Sequence, residues 1–126
     1  MRPDALWTQM VELGWPALTI AESAGGLGLG AVELAVVAEE LGRVMAPGPF
    51  LATVSQFAPA IAETGTPEQQ ERFLGAVANG EISGSLAIAE DTGSFDPGTV
   101  HATATRDGDA WVLSGTKHYV VEGADV

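Results

Sequence analysis

The sequence predicts an α+β fold in which a helical N-terminal domain precedes the first strands of an antiparallel β-domain. Apolar residues recur at helical spacing through the first two thirds of the chain, and after about residue 83 they alternate with polar residues instead. Because helices and strands are segregated along the chain, two α+β pieces are favoured over a parallel sheet of alternating strands and helices. We place the two domains at residues 1–83 and 84–126.

Four helices are predicted by apolar stripes that glycine or proline brings to an end. The stripes cover residues 6–13, 34–45, 51–61 and 73–77, and they end at Gly14, at Pro47 and Pro49, at Gly65 and at Gly80. The segment 20–30 is too rich in glycine for a helix or a strand. We therefore expect a glycine-rich loop between the first two helices.

Proline gives further detail at the third and fourth helices. Pro59 lies inside the third stripe, where it should kink the helix or mark its true start, because its ring cannot continue a regular helix. The run Thr66-Pro67-Glu68-Gln69 offers an N-cap hydroxyl, a proline at the first helical position and a glutamine three residues after the cap. We therefore expect the fourth helix to begin there.

Strands are expected after residue 83, in the segments 85–89, 99–105, 110–113 and 117–121. Asp107-Gly108 separates the second segment from the third and is a strong signal for a β-hairpin. A few strands this close to the C-terminus cannot close a sheet and leave an open edge. We therefore expect the chain to be a fragment, truncated at its C-terminus.

Composition argues against several classes of function. Five basic residues against 17 acidic ones give the 126-residue chain a net charge of −12, which repels a phosphate backbone and argues against nucleic-acid binding. The uncharged stretch 44–62 contains three prolines and does not resemble a membrane span. Asp4 and Glu12 interrupt what would have to be the apolar core of a signal peptide. The absence of cysteine fits a reducing compartment, and we expect a cytoplasmic location.

Residues that could carry chemistry give weak signals on their own. The glycine run 25–30 matches neither G-x-G-x-x-G nor a Gly-Lys-Ser/Thr phosphate loop, so a structural turn is preferred. His101 and His118 lack further ligands at metal-binding spacing, and no metal site is predicted. Glu39-Glu40 point in different directions on a helix, whereas Glu90-Asp91 fit either a site mouth or a turn.

Five motifs occur in an order and spacing that resemble one family. They are Gly14-Trp15-Pro16 with the loop 20–28, the helix 39–43 (Glu-Glu-Leu-Gly-Arg), the segment 65–70 with Phe73-Leu74, the strand 86–90, and the segment 111–117 (Trp-Val-Leu-Ser-Gly-Thr-Lys). Together they cover nearly the whole chain and resemble the acyl-CoA dehydrogenase family.

The resemblance implies a helical N-terminal domain, a middle β-domain and a C-terminal helical domain, assembled around FAD as homo- or heterotetramers. In this family a glutamate removes the α-proton of an acyl-CoA thioester while the β-hydrogen leaves as a hydride to flavin N5. Electrons usually pass to an electron-transfer flavoprotein. Because that glutamate belongs to the C-terminal domain in most members, the resemblance assigns no catalytic residue to this chain.

The same resemblance assigns six residues to cofactor binding. Leu86, Ile88 and Ala89 fall where strand residues contact the isoalloxazine ring, partly through backbone groups. Tyr119 falls where an aromatic residue lies against the ring, and Val121 where a threonine hydroxyl usually faces N5. Ser94 lies in a turn that resembles the family's Ala-Gly-Ser-Asp. An ordinary strand pair remains the alternative for Tyr119 and Val121.

Three departures from the family pattern leave a second function open. Ala89 and Val121 stand where threonines are usual, and Ser94 comes one place early. Two lost hydrogen bonds of about 0.5–1.5 kcal/mol each would weaken flavin binding about 5- to 150-fold. The alternative is therefore a non-catalytic partner subunit of a heteromeric acyl-CoA dehydrogenase. A helical binding module outside the family would need the strands after Ser83 to be absent or to pair differently.

Overall fold

The computed structural model describes residues 4–123, which divide into two compact units. The first unit contains the chain up to Ser85 together with residues 122 and 123, and the second unit is Leu86–Val121. Five α-helices lie in the described part of the first unit: α1 (Asp4–Glu12), α2 (Ala31–Arg43), α3 (Phe50–Ala52), α4 (Ala58–Thr64) and α5 (Pro67–Ala78). The predicted α+β architecture is confirmed, because the second unit holds a pair of antiparallel strands.

The predicted ends are confirmed at α1, α4 and α5, whereas α2 ends at Arg43, ahead of the predicted Met45, which has a left-handed φ of +47°. Gly14 and Gly80 adopt left-handed backbone conformations with φ of +72° and +70°, just beyond α1 and α5. The main-chain N–H of Gln69 donates to the Thr66 hydroxyl at 3.3 Å, and the Thr66 N–H donates to the Gln69 side chain at 2.9 Å. This reciprocal pair is the expected capping box, and it satisfies two N–H groups that the first turn of α5 would leave without partners.

The third predicted helix is distorted just ahead of its proline, Pro59. A π-helical turn, Thr53–Phe57, joins α3 to α4, and Pro59 is the second residue of α4. Proline has no N–H to donate and its ring would clash with the turn before it, so the helix widens ahead of Pro59. The helical backbone continues through the π turn, so Pro59 distorts this helix, as the sequence predicts, without starting a separate one.

Two apolar clusters form the core of the first unit. One contains Trp7, Met10, Leu18, Leu41, Phe50 and Val54, and the other contains Ala17, Ile20, Ala58, Leu74, Val77 and Ala78. The Trp7 ring N–H donates to the carbonyl of Gly80 at 3.0 Å, which ties α1 to the end of α5. The five helices thus contribute apolar side chains to one or other of these two clusters.

The glycine-rich loop is a structural turn, as the sequence predicts. The N–H groups of Leu27, Gly28 and Leu29 donate to carbonyls of residues 17, 20 and 18 at 2.8–2.9 Å. A Cβ at Gly26 would collide with the Ile20 carbonyl oxygen, so glycine permits this close approach. Donors that are already bound to carbonyls cannot cradle a phosphate.

The second unit contains one regular hairpin. Strand β1 (Thr103–Asp107) pairs antiparallel with β2 (Ala110–Ser114), in a register that runs from Thr103 opposite Ser114 to Asp107 opposite Ala110. The two-residue loop begins at Gly108, whose left-handed φ of +60° explains why a glycine is favoured at this position. The predicted hairpin is therefore confirmed, although β1 begins at Thr103 and a 3₁₀ turn occupies Pro97–Thr99.

The strands predicted at 85–89 and 117–121 are wrong as regular strands, since neither segment belongs to a described strand. The His118 N–H donates to the Ala89 carbonyl at 2.8 Å, which links the two segments without a repeating ladder. Tyr119 also has a left-handed φ of +55°, which interrupts the extended backbone that a ladder requires. Alternating side chains indicated where strands could form but not whether a partner strand would be present.

Candidate functional site

The candidate site lies in the second unit, where the carboxylate of Glu90 joins three parts of the chain. One oxygen accepts the His101 main-chain N–H at 2.8 Å. The other accepts the Ala102 N–H at 2.8 Å and the Lys117 ammonium group at 2.8 Å. Lys117 also donates to the Ile88 carbonyl at 2.9 Å. We refer to Glu90, Lys117, the two N–H groups and the Ile88 carbonyl as the Glu90 cluster.

The Glu90 carboxylate is held in its ionised form. The hydrogen bond from Lys117, followed by those from the His101 and Ala102 N–H groups, lowers its pKa from 4.5 to about 2. A carboxylate with such a low pKa is a poor proton acceptor at neutral pH. Of the two roles left open for Glu90, the structure supports the turn-forming one, since its oxygens are used by donors within the unit.

Asp91, the second carboxylate of the pair, lies beside His118. Its oxygen is 3.1 Å from His118 Nε2, and the Asp91 side chain is exposed. The His118 ring is 6.1 Å from that of Tyr119. The segment 117–119 therefore contacts residues 88–91 through the Lys117 side chain, the His118 main-chain N–H and the His118 ring.

Three of the predicted cofactor residues lie on the segment before Glu90. The Leu86 side chain is 38% exposed, Ile88 is half-buried, and Ala89 is only 1% exposed. The main-chain carbonyls at 88 and 89 accept the hydrogen bonds from Lys117 and His118. The orientation of this segment is thus set through its backbone.

Tyr119 and Val121 are surface residues of the second unit. Tyr119 is 75% exposed and Val121 is 48% exposed, so both present apolar surface to solvent. The Tyr119 ring would lie 3.3 Å from a Cβ placed on Gly93, whose own φ is +68°. A bulky residue in a left-handed conformation carries strain on the order of 1–3 kcal/mol, and such strain concentrates at ligand sites.

Ser94 forms part of a tight turn. Its N–H donates to the Thr92 hydroxyl at 3.3 Å, and its own hydroxyl accepts the Asp96 N–H at 3.1 Å. The structure therefore gives the Ser94 side chain a local role in shaping this turn. The assignment of Ser94 to cofactor binding stays a prediction.

The sequence does not predict the hydrogen bonds that join Glu90 to Lys117 and to the backbone of residues 101–102. A partial signal was present, because Lys117 is one of only five basic residues in an acidic chain and lies within a family-like motif. The 27 positions that separate Glu90 from Lys117 leave no periodicity from which to infer a contact.

The described residues contain neither a metal-binding group of side chains nor a membrane-spanning helix. Within residues 4–123, no group of three or more His, Cys, Asp or Glu side chains is placed to hold a metal ion. None of the helices that the structure describes is long and apolar enough to cross a membrane.

Known proteins match both the sequence and the fold. The family described as acyl-CoA dehydrogenase, N-terminal domain, matches residues 1–81. The chain is 33% identical to the mitochondrial short-chain specific acyl-CoA dehydrogenase of Bos taurus, over 94% of the chain and 29% of that protein. Among solved structures, a variant of the Tcur3481-Tcur3483 steroid ACAD is 40% identical with a TM-score of 0.81, over 94% of this chain and 32% of the other.

A third match is a two-component assembly. The ChsE4-ChsE5 complex from Mycobacterium tuberculosis contains a chain that is 34% identical with a TM-score of 0.75, over 90% of this chain and 29% of the other. This α+β chain, with a helical first unit and a hairpin-bearing second unit, thus shares its fold with part of these solved structures. The chain belongs to the acyl-CoA dehydrogenase family, which excludes an unrelated helical module. It spans about 29% of the length of the bovine relative.

Proposed function

We propose that the protein carrying this chain is an FAD-dependent acyl-CoA dehydrogenase, an oxidoreductase that introduces a double bond between the α and β carbons of an acyl-CoA thioester. Family membership is the observation that carries this proposal. The proposed domains are a helical N-terminal domain at 1–83 and the start of the middle β-domain at 84–126. The catalytic base is assigned to no residue of this chain.

We propose that exposed residues of the second unit contribute to one face of the flavin site. Leu86, Tyr119 and Val121 offer apolar or aromatic surface against which a planar ring could lie. Positions 89 and 121 carry only apolar groups, so polar contacts from these positions would have to come from the main chain. When bound, FAD supplies a hydride acceptor at N5, and the proposed role of this unit is to orient the ring and exclude water from it.

We propose the substrate and the partners on the basis of what this chain is similar to. We propose an acyl-CoA substrate whose acyl group is a fatty acid or a steroid side chain, because the similar proteins include a short-chain specific acyl-CoA dehydrogenase and a steroid ACAD variant. We propose an electron-transfer flavoprotein as the acceptor and a homo- or heterotetramer as the assembly. The cytoplasmic location remains a prediction.

A spectrum and an assay test this proposal together. The full-length gene product, purified alone, should show the visible absorption of bound flavin, and adding an acyl-CoA series should bleach it anaerobically. Retention of flavin without bleaching by any acyl-CoA would contradict the dehydrogenase activity. Failure to bind added FAD would contradict the cofactor assignment.

A non-catalytic partner subunit is the second candidate. The methyl groups at Ala89 and Val121 favour it, because they replace hydroxyls that the family pattern uses for flavin contacts. Co-expression with a homologous chain from the same genome tests it. A stable heteromer whose flavin stays with the other chain would support this candidate and contradict the first.

A further inference from the structure

A cavity of about 400 Å³ lies within the helical unit, between the segment 19–24 and the helices α4 and α5. Small-molecule sites usually occupy about 300–1,000 Å³, so the cavity has room for a small ligand. Its apolar lining includes Ile20, Ala58 and Leu74, which belong to the second core cluster of this unit. An aliphatic chain in the cavity would therefore pack against side chains that the core holds in place.

Three polar side chains line the same cavity and offer hydrogen-bond acceptors. They are the hydroxyls of Thr19 and Ser23 and the carboxylate of Glu63. Within residues 4–123, none of these three side chains takes part in a hydrogen bond or an ion pair. Their oxygen lone pairs are therefore available to a donor that enters the cavity.

The charge at this cavity is negative. Glu63 is the only charged side chain among the described residues that line it, and Glu63 lies in the last turn of α4. Carbonyl groups at the end of a helix carry partial negative charge, which adds to that of the carboxylate. The Gln70 amide nitrogen donates to the carbonyls of Ala62 and Gly65 at 2.9 and 3.1 Å, so this donor is already engaged. The cavity therefore favours a cation over an anion.

We propose that this cavity binds a small primary alkylammonium ion, with its ammonium group at Glu63 and its alkyl chain against the apolar lining. An ammonium group has three N–H donors and no acceptor, which matches a carboxylate and two hydroxyls. The site shares no residue with the proposed flavin site, so this inference does not depend on the dehydrogenase function. A ligand that contacts the segment 19–24, α4 and α5 together stabilises the helical unit, because it binds the folded state alone.

Three probes with the same alkyl chain separate the effect of charge from that of apolar burial. Titration calorimetry of the full-length gene product at low ionic strength compares hexylamine, hexanol and hexanoate. We expect hexylamine to bind about fivefold more tightly than hexanol, because only the amine brings a positive charge to Glu63. Hexanoate should not bind. Absence of hexylamine binding, or affinity for hexanol or hexanoate as high as for hexylamine, would overturn the proposal.

Variants of the same protein locate the binding site. Glu63→Gln keeps the size of the side chain but removes its charge, and it should weaken hexylamine binding about fivefold without changing hexanol binding. Ala62→Leu fills part of the cavity and should weaken the binding of both probes. Glu71→Gln is the matched control, because Glu71 is an exposed carboxylate on α5 that does not line the cavity.

Circular dichroism and the midpoint of urea unfolding establish that each variant is folded. Unchanged hexylamine binding in folded Glu63→Gln or Ala62→Leu would overturn the proposal, and so would an equal loss of binding in Glu71→Gln. The comparison of hexylamine, hexanol and hexanoate needs no substitution, so it decides the proposal even if a variant does not fold.

Discussion

The two units of this chain are stabilised by different means. The helical unit encloses two side-chain clusters built from the apolar stripes of its helices. In the second unit every residue of β1 and β2 is exposed, and polar contacts around Glu90 join the segments outside the hairpin. Apolar burial therefore specifies the first unit, whereas a few directed hydrogen bonds specify the second.

Truncation of a core leucine should have the largest effect. Leu74 is buried in the second cluster of the helical unit, so Leu74→Ala should destabilise the protein by about 2–5 kcal/mol. Leu113→Ala removes the same atoms from an exposed position on β2 and should change stability by less than about 0.5 kcal/mol. Urea unfolding of both variants measures the difference. Equal losses would show that the two units do not differ as described.

Substitution of Gly84, whose backbone lies close to the Phe57 ring, should have the next largest effect on stability. A Cβ at Gly84 would collide with the Phe57 ring, and the Gly84 N–H and carbonyl both bind the buried Thr53 hydroxyl. Gly84→Ala should therefore cost about 1–3 kcal/mol from overpacking. Gly42→Ala is the control: Gly42 lies in α2 with open space at its Cβ position, and the substitution should stabilise by about 0.5–1 kcal/mol. Urea unfolding again measures both, and the same sign for the two would contradict this account.

Removal of the capping box of α5 should cause a smaller loss of stability. Thr66→Ala removes the hydroxyl that accepts the Gln69 N–H and should cost about 1 kcal/mol, measured as a lower midpoint in urea. Thr66→Ser keeps the acceptor and should stay close to the unsubstituted protein. A similar loss in both variants would point to the Thr66 methyl group instead of the cap.

The difference between the units also explains what the sequence could predict. Stripe spacing, Pro59 and the Thr66 box act within a few residues of one another, so the helices and their ends could be predicted from local pattern. The Asp107-Gly108 hairpin is local in the same sense. The contact of Glu90 with Lys117 and the left-handed backbone at Tyr119 depend on distant segments, so alternation alone wrongly predicted regular strands there.

Titration of Glu90 should have the most local effect, confined to the second unit. Its pKa in the folded protein, about 2, lies below the ordinary value of 4.5 because Lys117 and two N–H groups favour the carboxylate. A lowered folded pKa means that the stabilising contribution is complete above about pH 4.5 and is lost as the pH falls toward 2. The Ala102 amide proton, which donates to this carboxylate, should therefore shift in NMR spectra with a midpoint near 2. Glu90→Gln should abolish that titration, and a midpoint near 4.5 would show that Glu90 does not hold its partners in solution.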